Sequence, residues 1–176
     1  MSSDVLGIPR LDLRARPRWK TWLLWWMGGW FVATQIGGAM WRTLLSPLDA
    51  PIMRLTKGRV RIVGLPVVRL TTTGARTGQP RDSMLAYFTD GDDVIVVASN
   101  WGQGNRPGWY YNLVTHPECE LHIGPRGGRF VAREITGAQR DELYRLAAER
   151  LSRSWTTYQQ RNDRAIPMMR LTPCPT

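Results

Sequence analysis

Between residues 60 and 135, short segments rich in valine, isoleucine and threonine alternate with clusters of glycine, proline and aspartate. Segments of this length and composition are typical of β-strands, because a helix that buries one face needs a longer apolar pattern. The clusters contain the residues that tight turns require. This alternation predicts short strands joined by turns, at residues 60–63, 67–73, 81–89, 94–99, 118–123 and 129–135.

Helices are expected at three places among these strands. Pro107 suits a first helical position and begins a short helix to Leu113, and Thr136 caps a helix that runs to about Leu151. A short helix near residues 155–161 and an apolar tail at 166–171 follow. Residues 90–93 have the glycine and aspartates of a hairpin turn. We therefore expect a mainly β fold, a largely antiparallel sheet or small barrel with added helices.

The N-terminal part of the chain has a different composition. Residues 1–20 look like a polar, basic arm, and residues 21–41 then carry no charged side chain. Six of the nine tryptophans lie between residues 19 and 41, and Trp22, Trp26 and Trp30 recur at helical spacing. Three structures fit this segment: a helix at the membrane interface, a helix packed on the protein's own core, and a membrane-spanning helix.

Pro47 and Pro51 interrupt the chain after the tryptophan-rich segment. We therefore divide the sequence into residues 1–57, the basic arm with the tryptophan-rich helix, and residues 58–176, the folded β domain. A length of 176 residues suits one folded domain.

Charge and cysteine content narrow the classes of function. The formal net charge of +10 indicates an anionic partner, such as nucleic acid, anionic lipid or a phosphorylated cofactor. Two cysteines exclude a disulfide scaffold and a four-cysteine zinc site, and two histidines exclude a His-rich metal centre, so we expect no metal. Low cysteine usage is typical of a cytosolic protein.

The chain has no nucleophile elbow, no P-loop and no Rossmann glycine fingerprint. His116, next to a predicted helix end, and His122, in a predicted strand, are expected to be structural. A chain without a clear nucleophile, metal site or carboxylate pair is either not an enzyme or takes its chemistry from a cofactor.

The most informative stretch is residues 70–81, where a threonine-rich strand ends in a glycine-bounded turn. The backbone N–H groups of such a turn, together with Arg76, Thr77 and Arg81, can bind an anion. The alternative is an ordinary hairpin with solvated arginines.

Two later stretches suit a flat ligand. The apolar strand at 94–99 runs into small polar residues and Gly102, which let a ligand approach the backbone. On the next helix Trp109 and Asn112 share a face, so that an aromatic ring and an amide can hold a planar ring. The alternative is that Trp109 and Tyr110 are core residues.

Taken together, these stretches resemble the deazaflavin-dependent nitroreductase family of actinobacteria, also called F420-dependent quinone reductases. The resemblance implies a split β-barrel related to FMN-binding barrels. It also implies coenzyme F420, a deazaflavin with a phosphodiester and an anionic oligoglutamate tail. The tryptophan-rich N-terminus resembles the family's variable N-terminal helix, which associates with the membrane in some members. The matching stretches are TTTGARTGQPR, VIVVASNWG, RPGWYYNLVTHPE and WTTYQQRNDRAIP.

The resemblance also implies site residues, position by position. Those near the reaction are Ser99, Trp155, which matches an aromatic beside cofactor and substrate, and Tyr158, which matches a nearby tyrosine. Our mechanistic hypothesis is that Ser99 hydrogen-bonds a carbonyl of the acceptor or cofactor and that Tyr158 supplies a proton. The sequence departs from the common pattern at Ala75, Asn100, Gly108 and Trp155. The positions that match cofactor-binding segments are Ala75, Arg76, Thr77, Arg81, Asp82, Ser83, Met84, Leu85, Ala86, Val97, Ala98, Ser99, Asn100, Gly108, Trp109, Tyr110, Tyr111, Asn112 and Trp155.

The implied activity is hydride transfer from reduced F420 to a quinone, a nitroaromatic compound or a similar electrophilic acceptor. The alternatives are a carrier of F420 or of a flavin without efficient turnover, FMN as the cofactor, and a basic protein of nucleic-acid or membrane surfaces. The sequence contains no recognition-helix motif that would support nucleic-acid binding. We expect a small-molecule acceptor as partner and no nucleic acid. We also expect a cytoplasmic protein whose N-terminal helix contacts the membrane surface. Related barrels are often dimers, so a homodimer is an open alternative.

Overall fold

A computed structural model describes residues 4–14 and 66–174, and its centre is a closed barrel of six antiparallel strands. A two-stranded hairpin, β1 (Asp4–Val5) and β2 (Ile8–Pro9), precedes the barrel. The barrel strands are β3 (Val67–Thr73), β4 (Pro80–Asp90), β5 (Asp93–Val97), β6 (Glu118–Ile123), β7 (Arg126–Ile135) and β8 (Met168–Pro173). The described helices are α1 (Gly108–Thr115), α2 (Gly137–Arg150) and α3 (Ser154–Gln160), with a 3₁₀ turn at Asn100–Gly102.

The structure confirms the expected mainly β fold with added helices. The strands predicted at 67–73 and 118–123 have those bounds, while cross-strand pairing extends β4 to residues 80–90 and begins β7 at residue 126. The tail at 166–171, expected only to be apolar, contributes strand β8. The strand expected at 60–63, the tryptophan-rich segment and the boundary at residue 57 lie outside the described residues.

The order of the strands around the barrel is β3-β4-β5-β8-β7-β6, and β3 pairs with β6 to close it. The predicted hairpin at 90–93 is present, with Asp90 opposite Asp93 and Gly91 at a φ of +64°. Strand β8 follows the other strands in the chain but lies between β5 and β7, so that Met168 is opposite both Val97 and Ile135. The barrel therefore closes through long-range pairs as well as hairpins.

Alternation along the strands separates two apolar clusters. In β5, Val94 and Val96 belong to the cluster that fills the barrel, whereas Ile95 and Val97 belong to the cluster outside it. The inner cluster includes residues of all six barrel strands and of α1. The outer cluster contains the buried side chains of α2 and α3, which cover one side of the barrel.

The beginning of the chain is not only a polar arm. Val5 and Ile8 belong to the inner cluster and are 5% and 0% exposed, and Leu13 belongs to the outer cluster. Leu11 and Thr89 exchange two hydrogen bonds: Thr89 N–H donates to the Leu11 carbonyl, and Leu11 N–H donates to Thr89 Oγ1, both at 2.9 Å. Residues 4–14 are therefore part of the folded domain.

Ion pairs hold this N-terminal segment to the hairpin at 90–93. Arg10 pairs with Asp92, and Arg14 pairs with Asp90. Asp90 also accepts a hydrogen bond from Arg170 Nη2 at 2.8 Å. The arginines that made the segment look like a polar, basic arm thus help to hold its apolar residues against the barrel.

Two further expectations concern the helices. Thr136 lies at the N-cap position of α2, as predicted, but its side chain makes no cap hydrogen bond. Within residues 4–14 and 66–174, no helix is both long and apolar enough to cross a membrane.

Candidate functional site

Among the described residues, β4 and β5 pair over only part of their length. Strand β4 pairs with β3 through residues 80–86 but with β5 only through residues 87–90. Beyond β5 the chain stays beside the segment that leads into β8, because Ala98 N–H donates to the Pro167 carbonyl at 2.9 Å. In the described part of the chain, residues 80–86 therefore have an edge without a partner strand, which we call the open edge. The cofactor segment expected at 82–86 lies within the open edge, and the one expected at 97–100 begins at the last residue of β5.

One end of the open edge is the turn of residues 74–79. Gly74 N–H donates to the Gln79 carbonyl and Gly78 N–H to the Gly74 carbonyl, both at 2.8 Å. A Cβ at Gly74 would lie 3.0 Å from the Gln79 carbonyl oxygen, and Gly78 has a φ of +66°. Both positions therefore favour glycine, and the sequence forms the predicted tight turn.

Asn112 fixes this turn against α1. Its Oδ1 accepts a hydrogen bond from Ala75 N–H at 2.9 Å, and its Nδ2 donates to Thr72 Oγ1 at 3.0 Å. Thr72 is only 2% exposed. The amide that we expected beside a planar ring is thus bonded to β3 and to the turn, and Asn112 sets the position of the turn.

The turn exposes fewer backbone donors than the sequence suggested. The amides of Gly74, Ala75 and Gly78 donate within the protein, so among the described residues only those of Arg76 and Thr77 lack a good acceptor in the turn. Binding of an anion there depends mainly on side chains.

The side chains of Arg76, Thr77 and Arg81 are exposed, and neither arginine forms an ion pair with a described residue. Asp82, which follows Arg81, is already engaged on the other side: Thr71 Oγ1 donates to its Oδ1 at 2.7 Å. Two guanidinium groups at one end of the open edge, without acidic partners among the described residues, form a positive site for a phosphate or carboxylate.

The loop of residues 99–102 forms the opposite flank. Gly102 N–H donates to the Ser99 carbonyl at 2.8 Å, and Asn162 Nδ2 donates to the Gly102 carbonyl at 3.4 Å. A Cβ at Gly102 would lie 2.4 Å from Cδ1 of Tyr158, so the loop rests directly on that ring. The structure therefore brings the loop that carries Ser99 to the helix that carries Tyr158.

Four predicted site residues meet in the outer cluster: Ala86, Val97, Trp155 and Tyr158. Trp155 and Tyr158 are each 6% exposed. Tyr144 of α2 donates its hydroxyl to the Trp155 carbonyl at 2.8 Å, and burial raises the pKa of Tyr144. This bond fixes α3 on α2 and with it the position of both aromatic rings.

Most of the remaining predicted residues lie in α1 and β4. Trp109 and Tyr110 lie in the inner cluster, which agrees with the core alternative, and Leu85 packs against that cluster. Tyr110 donates its hydroxyl to Glu134 Oε2 at 2.8 Å; burial and this bond raise the pKa of Tyr110. The predicted residues that the structure leaves exposed or partly exposed are Ser83, Met84, Asn100, Gly108 and Tyr111, and Ala98 is buried.

Two residues important to this geometry, Thr72 and Asn162, had no distinguishing signal in the sequence. Thr72 is one of three consecutive threonines, and only the register shows that it faces Asn112. Gly102 and Asn162, which join the loop to α3, are sixty residues apart in the chain.

The two histidines and Cys119 lie outside the open edge. His116 directly follows α1 and His122 lies half-buried in β6, neither of which flanks the open edge. Burial raises the pKa of the Cys119 thiol to about 12, so this cysteine stays protonated at neutral pH.

Comparisons with known proteins agree with these features. A model of the F420H(2)-dependent quinone reductase family matches residues 49–173. An F420H(2)-dependent quinone reductase of Mycobacterium tuberculosis is 40% identical over 130 residues, which cover 71% of this chain and 87% of the relative.

Solved structures give the same result for the fold. An F420-H2 dependent reductase, FDR-A, superposes with a TM-score of 0.55 at 32% identity, covering 60% of this chain and 93% of that one. A chain described as a domain-swapped dimer gives 0.56 at 28% identity, covering 72% and 99%. The heme storage protein HutZ of Vibrio cholerae, with a TM-score of 0.50 and 14% identity over 75% and 92% of the two chains, shares the fold alone.

Proposed function

The chain belongs to the F420H(2)-dependent quinone reductase family, and on that basis we propose that it transfers a hydride from reduced F420 to a quinone. The observation that supports this most directly is the opening between β4 and β5. At one end it has two arginines that form no ion pair with a described residue, and on its other flank it has the loop of Ser99 against Tyr158.

The residues at the opening fit F420 in charge and in shape. Its anionic tail requires cationic donors, and Arg76 and Arg81 are exposed and have no acidic partner among the described residues. A flat ring requires a partly apolar surface, which Met84 and Ala86 supply on the outward face of β4. We therefore assign the tail to the turn at 74–79 and the ring to the segments at 82–86 and 97–100.

When bound, reduced F420 would supply the hydride; the quinone would take up this hydride and one proton to become the hydroquinone, and the proton released by F420 on oxidation would balance the one taken up. The chain binds and orients the two reactants. We assign to Ser99 a hydrogen bond to a carbonyl oxygen of the acceptor or cofactor. We assign the proton donor to Tyr158, because its ring packs on the loop that carries Ser99.

The test is an assay of F420 turnover with the full chain. Purified protein, reduced F420 and menadione are mixed, and the absorbance of oxidised F420 is followed. Arg76→Ala should weaken F420 binding by about 1.5–3 kcal/mol, roughly 10- to 150-fold in Kd, because it removes a charge-assisted bond. Arg145→Ala is the matched control, since this exposed arginine of α2 pairs with Glu149 and its replacement also removes one positive charge.

The outcomes separate the alternatives. Binding of reduced F420 without its oxidation would support a carrier instead of an enzyme. If F420 did not bind, the same titration would be repeated with FMN. Equal affinity of Arg76→Ala and wild type would remove Arg76 from the site. Replacing menadione by a nitroaromatic compound asks whether the acceptor site is restricted to quinones.

We also propose contact of the tryptophan-rich segment with the inner face of the cell membrane, which would suit a lipid-borne quinone. The test is partition of the protein with anionic vesicles after Trp22, Trp26 and Trp30 are changed to serine. Substitution is preferable to truncation, because truncation would also remove Ile8 from the barrel core.

A homodimer, as in the domain-swapped relative, is tested by light scattering.

A further inference from the structure

Trp101 has a backbone conformation that a bulky side chain rarely adopts. Its φ is +58° and its ψ is 26°, between Asn100 at a φ of +43° and Gly102 at +75°. Glycine adopts this left-handed conformation freely, whereas in other residues Cβ approaches the following carbonyl oxygen. A tryptophan at such a position raises the energy of the folded state.

The surroundings of the loop force this conformation. Asn100 Nδ2 donates to Asn105 Oδ1 at 2.9 Å and to Gln103 Oε1 at 3.2 Å, which closes the loop on itself. On the other side of Trp101, Gly102 is fixed between Ser99 and the ring of Tyr158. Backbone strain of this kind is found where a site requires it.

The exposure of Trp101 shows that the core does not explain the strain. Trp101 is 42% exposed, whereas Trp109 and Trp155 are 7% and 6% exposed. Packing does not explain why Trp101 is held in a strained backbone conformation, because its side chain is half in solvent. Contact with a ligand explains both the strain and the exposure better. Its position, one residue from Gly102 and two from Ser99, places it at the flank of the opening.

We propose that Trp101 is a specificity-determining residue that stacks on the planar ring of the acceptor. The proposal rests on the proposed function, because it concerns the quinone that accepts the hydride. Offset stacking of aromatic rings gains energy beyond the area buried, and the gain grows with the area of overlap. Trp101 should therefore favour bicyclic over monocyclic quinones.

The test compares three variants in the full chain. Trp101→Ala removes the ring and keeps a Cβ at the left-handed position, Trp101→Gly removes both, and Trp101→Phe keeps a smaller ring. Val114→Ala is the control for loss of exposed apolar surface, because Val114 is 57% exposed on α1, away from the flanking segments. The readouts are the melting temperature, the Kd of F420, and KM and kcat with menadione and with benzoquinone.

Both Trp101→Ala and Trp101→Gly should raise KM for menadione by about 5- to 30-fold, with a smaller rise for benzoquinone. Trp101→Phe should recover most of the difference. The Kd of F420 should change by less than about 2-fold, as expected if Trp101 contacts the acceptor only. Trp101→Gly should melt about 2–6 °C above Trp101→Ala, because glycine removes the strain.

Unchanged KM for menadione in both variants, with normal F420 binding and turnover, would overturn the role of Trp101 and leave the proposed function intact. Equal increases of KM for the two quinones would also overturn stacking as its basis. If the wild-type protein did not oxidise reduced F420 with any acceptor, the proposed function itself would fail.

Discussion

Replacing Asn112 by alanine tests whether one side chain positions the turn at 74–79. The amide makes two hydrogen bonds, at 2.9 Å to Ala75 N–H and at 3.0 Å to Thr72 Oγ1. Each is worth about 1 kcal/mol, and the penalty is larger for a partner left unpaired in a buried place, as Thr72 is. We expect Asn112→Ala to lower the free energy of unfolding by about 2–4 kcal/mol, which corresponds to roughly 4–16 °C in melting temperature for a domain of this size.

The same change should weaken F420 binding by about 3- to 10-fold, because a turn that is no longer held in place must be ordered on binding. Urea unfolding gives the first quantity and titration with F420 the second. Thr72→Val provides the matched variant, since it removes only the hydroxyl that Asn112 contacts.

A double-mutant cycle of Asn112→Ala and Thr72→Val should give a coupling energy of about 0.5–1.5 kcal/mol. Additive effects, or a loss of stability below about 0.5 kcal/mol in Asn112→Ala, would refute the view that this amide holds the turn. Stability loss with unchanged F420 affinity would separate the turn from the cofactor site.

Two further predictions concern the N-terminal segment and the hairpin at 90–93. Ile8→Ala should lower the free energy of unfolding by about 2–4 kcal/mol in urea titrations, because Ile8 is 0% exposed in the inner cluster; a loss below about 1 kcal/mol would show that residues 4–14 are dispensable. Burial alone would raise the pKa of Asp90, but hydrogen bonds from Arg170 and Arg14 outweigh it and lower that pKa. The contribution of Asp90 is therefore present above the unfolded-state pKa of about 3.9 and is lost as the pH falls through the lower folded-state value. Acid titration of unfolding should show less stability loss below pH 4 in Asp90→Asn than in wild type, and parallel curves would contradict this assignment.

Local patterns predicted the strands well and the partners of side chains poorly. The segments 67–73 and 118–123 could be delimited because β-branched runs and turn residues are local signals. Strand β8 could not be recognised, since its pairing with β5 and β7 depends on residues distant in sequence. For the same reason the segment with Arg10 and Arg14 was expected to be a polar, basic arm, although it carries Ile8 into the core.

The site shows a similar division. The turn at 74–79 followed from its glycines, and the grouping of Val97 with Trp155 and Tyr158 followed from the resemblance. The partners of Asn112 did not follow from helical spacing, which shows what faces the same way but not what lies opposite. The left-handed backbone at Trp101 was also unexpected, because backbone strain is imposed by contacts that form only in the folded chain.

The position of β8 in the barrel has a consequence for folding during synthesis. Strands β5 and β7 are made earlier than β8, and each keeps one edge unpaired until β8 enters between them. Pairs such as Val94 with Leu171 join residues far apart in the chain, so their formation is slow compared with that of the hairpins. While the chain is being made, the two waiting edges can pair with other strands. We expect nascent chains that lack residues 168–173 to depend on chaperones and to aggregate when released.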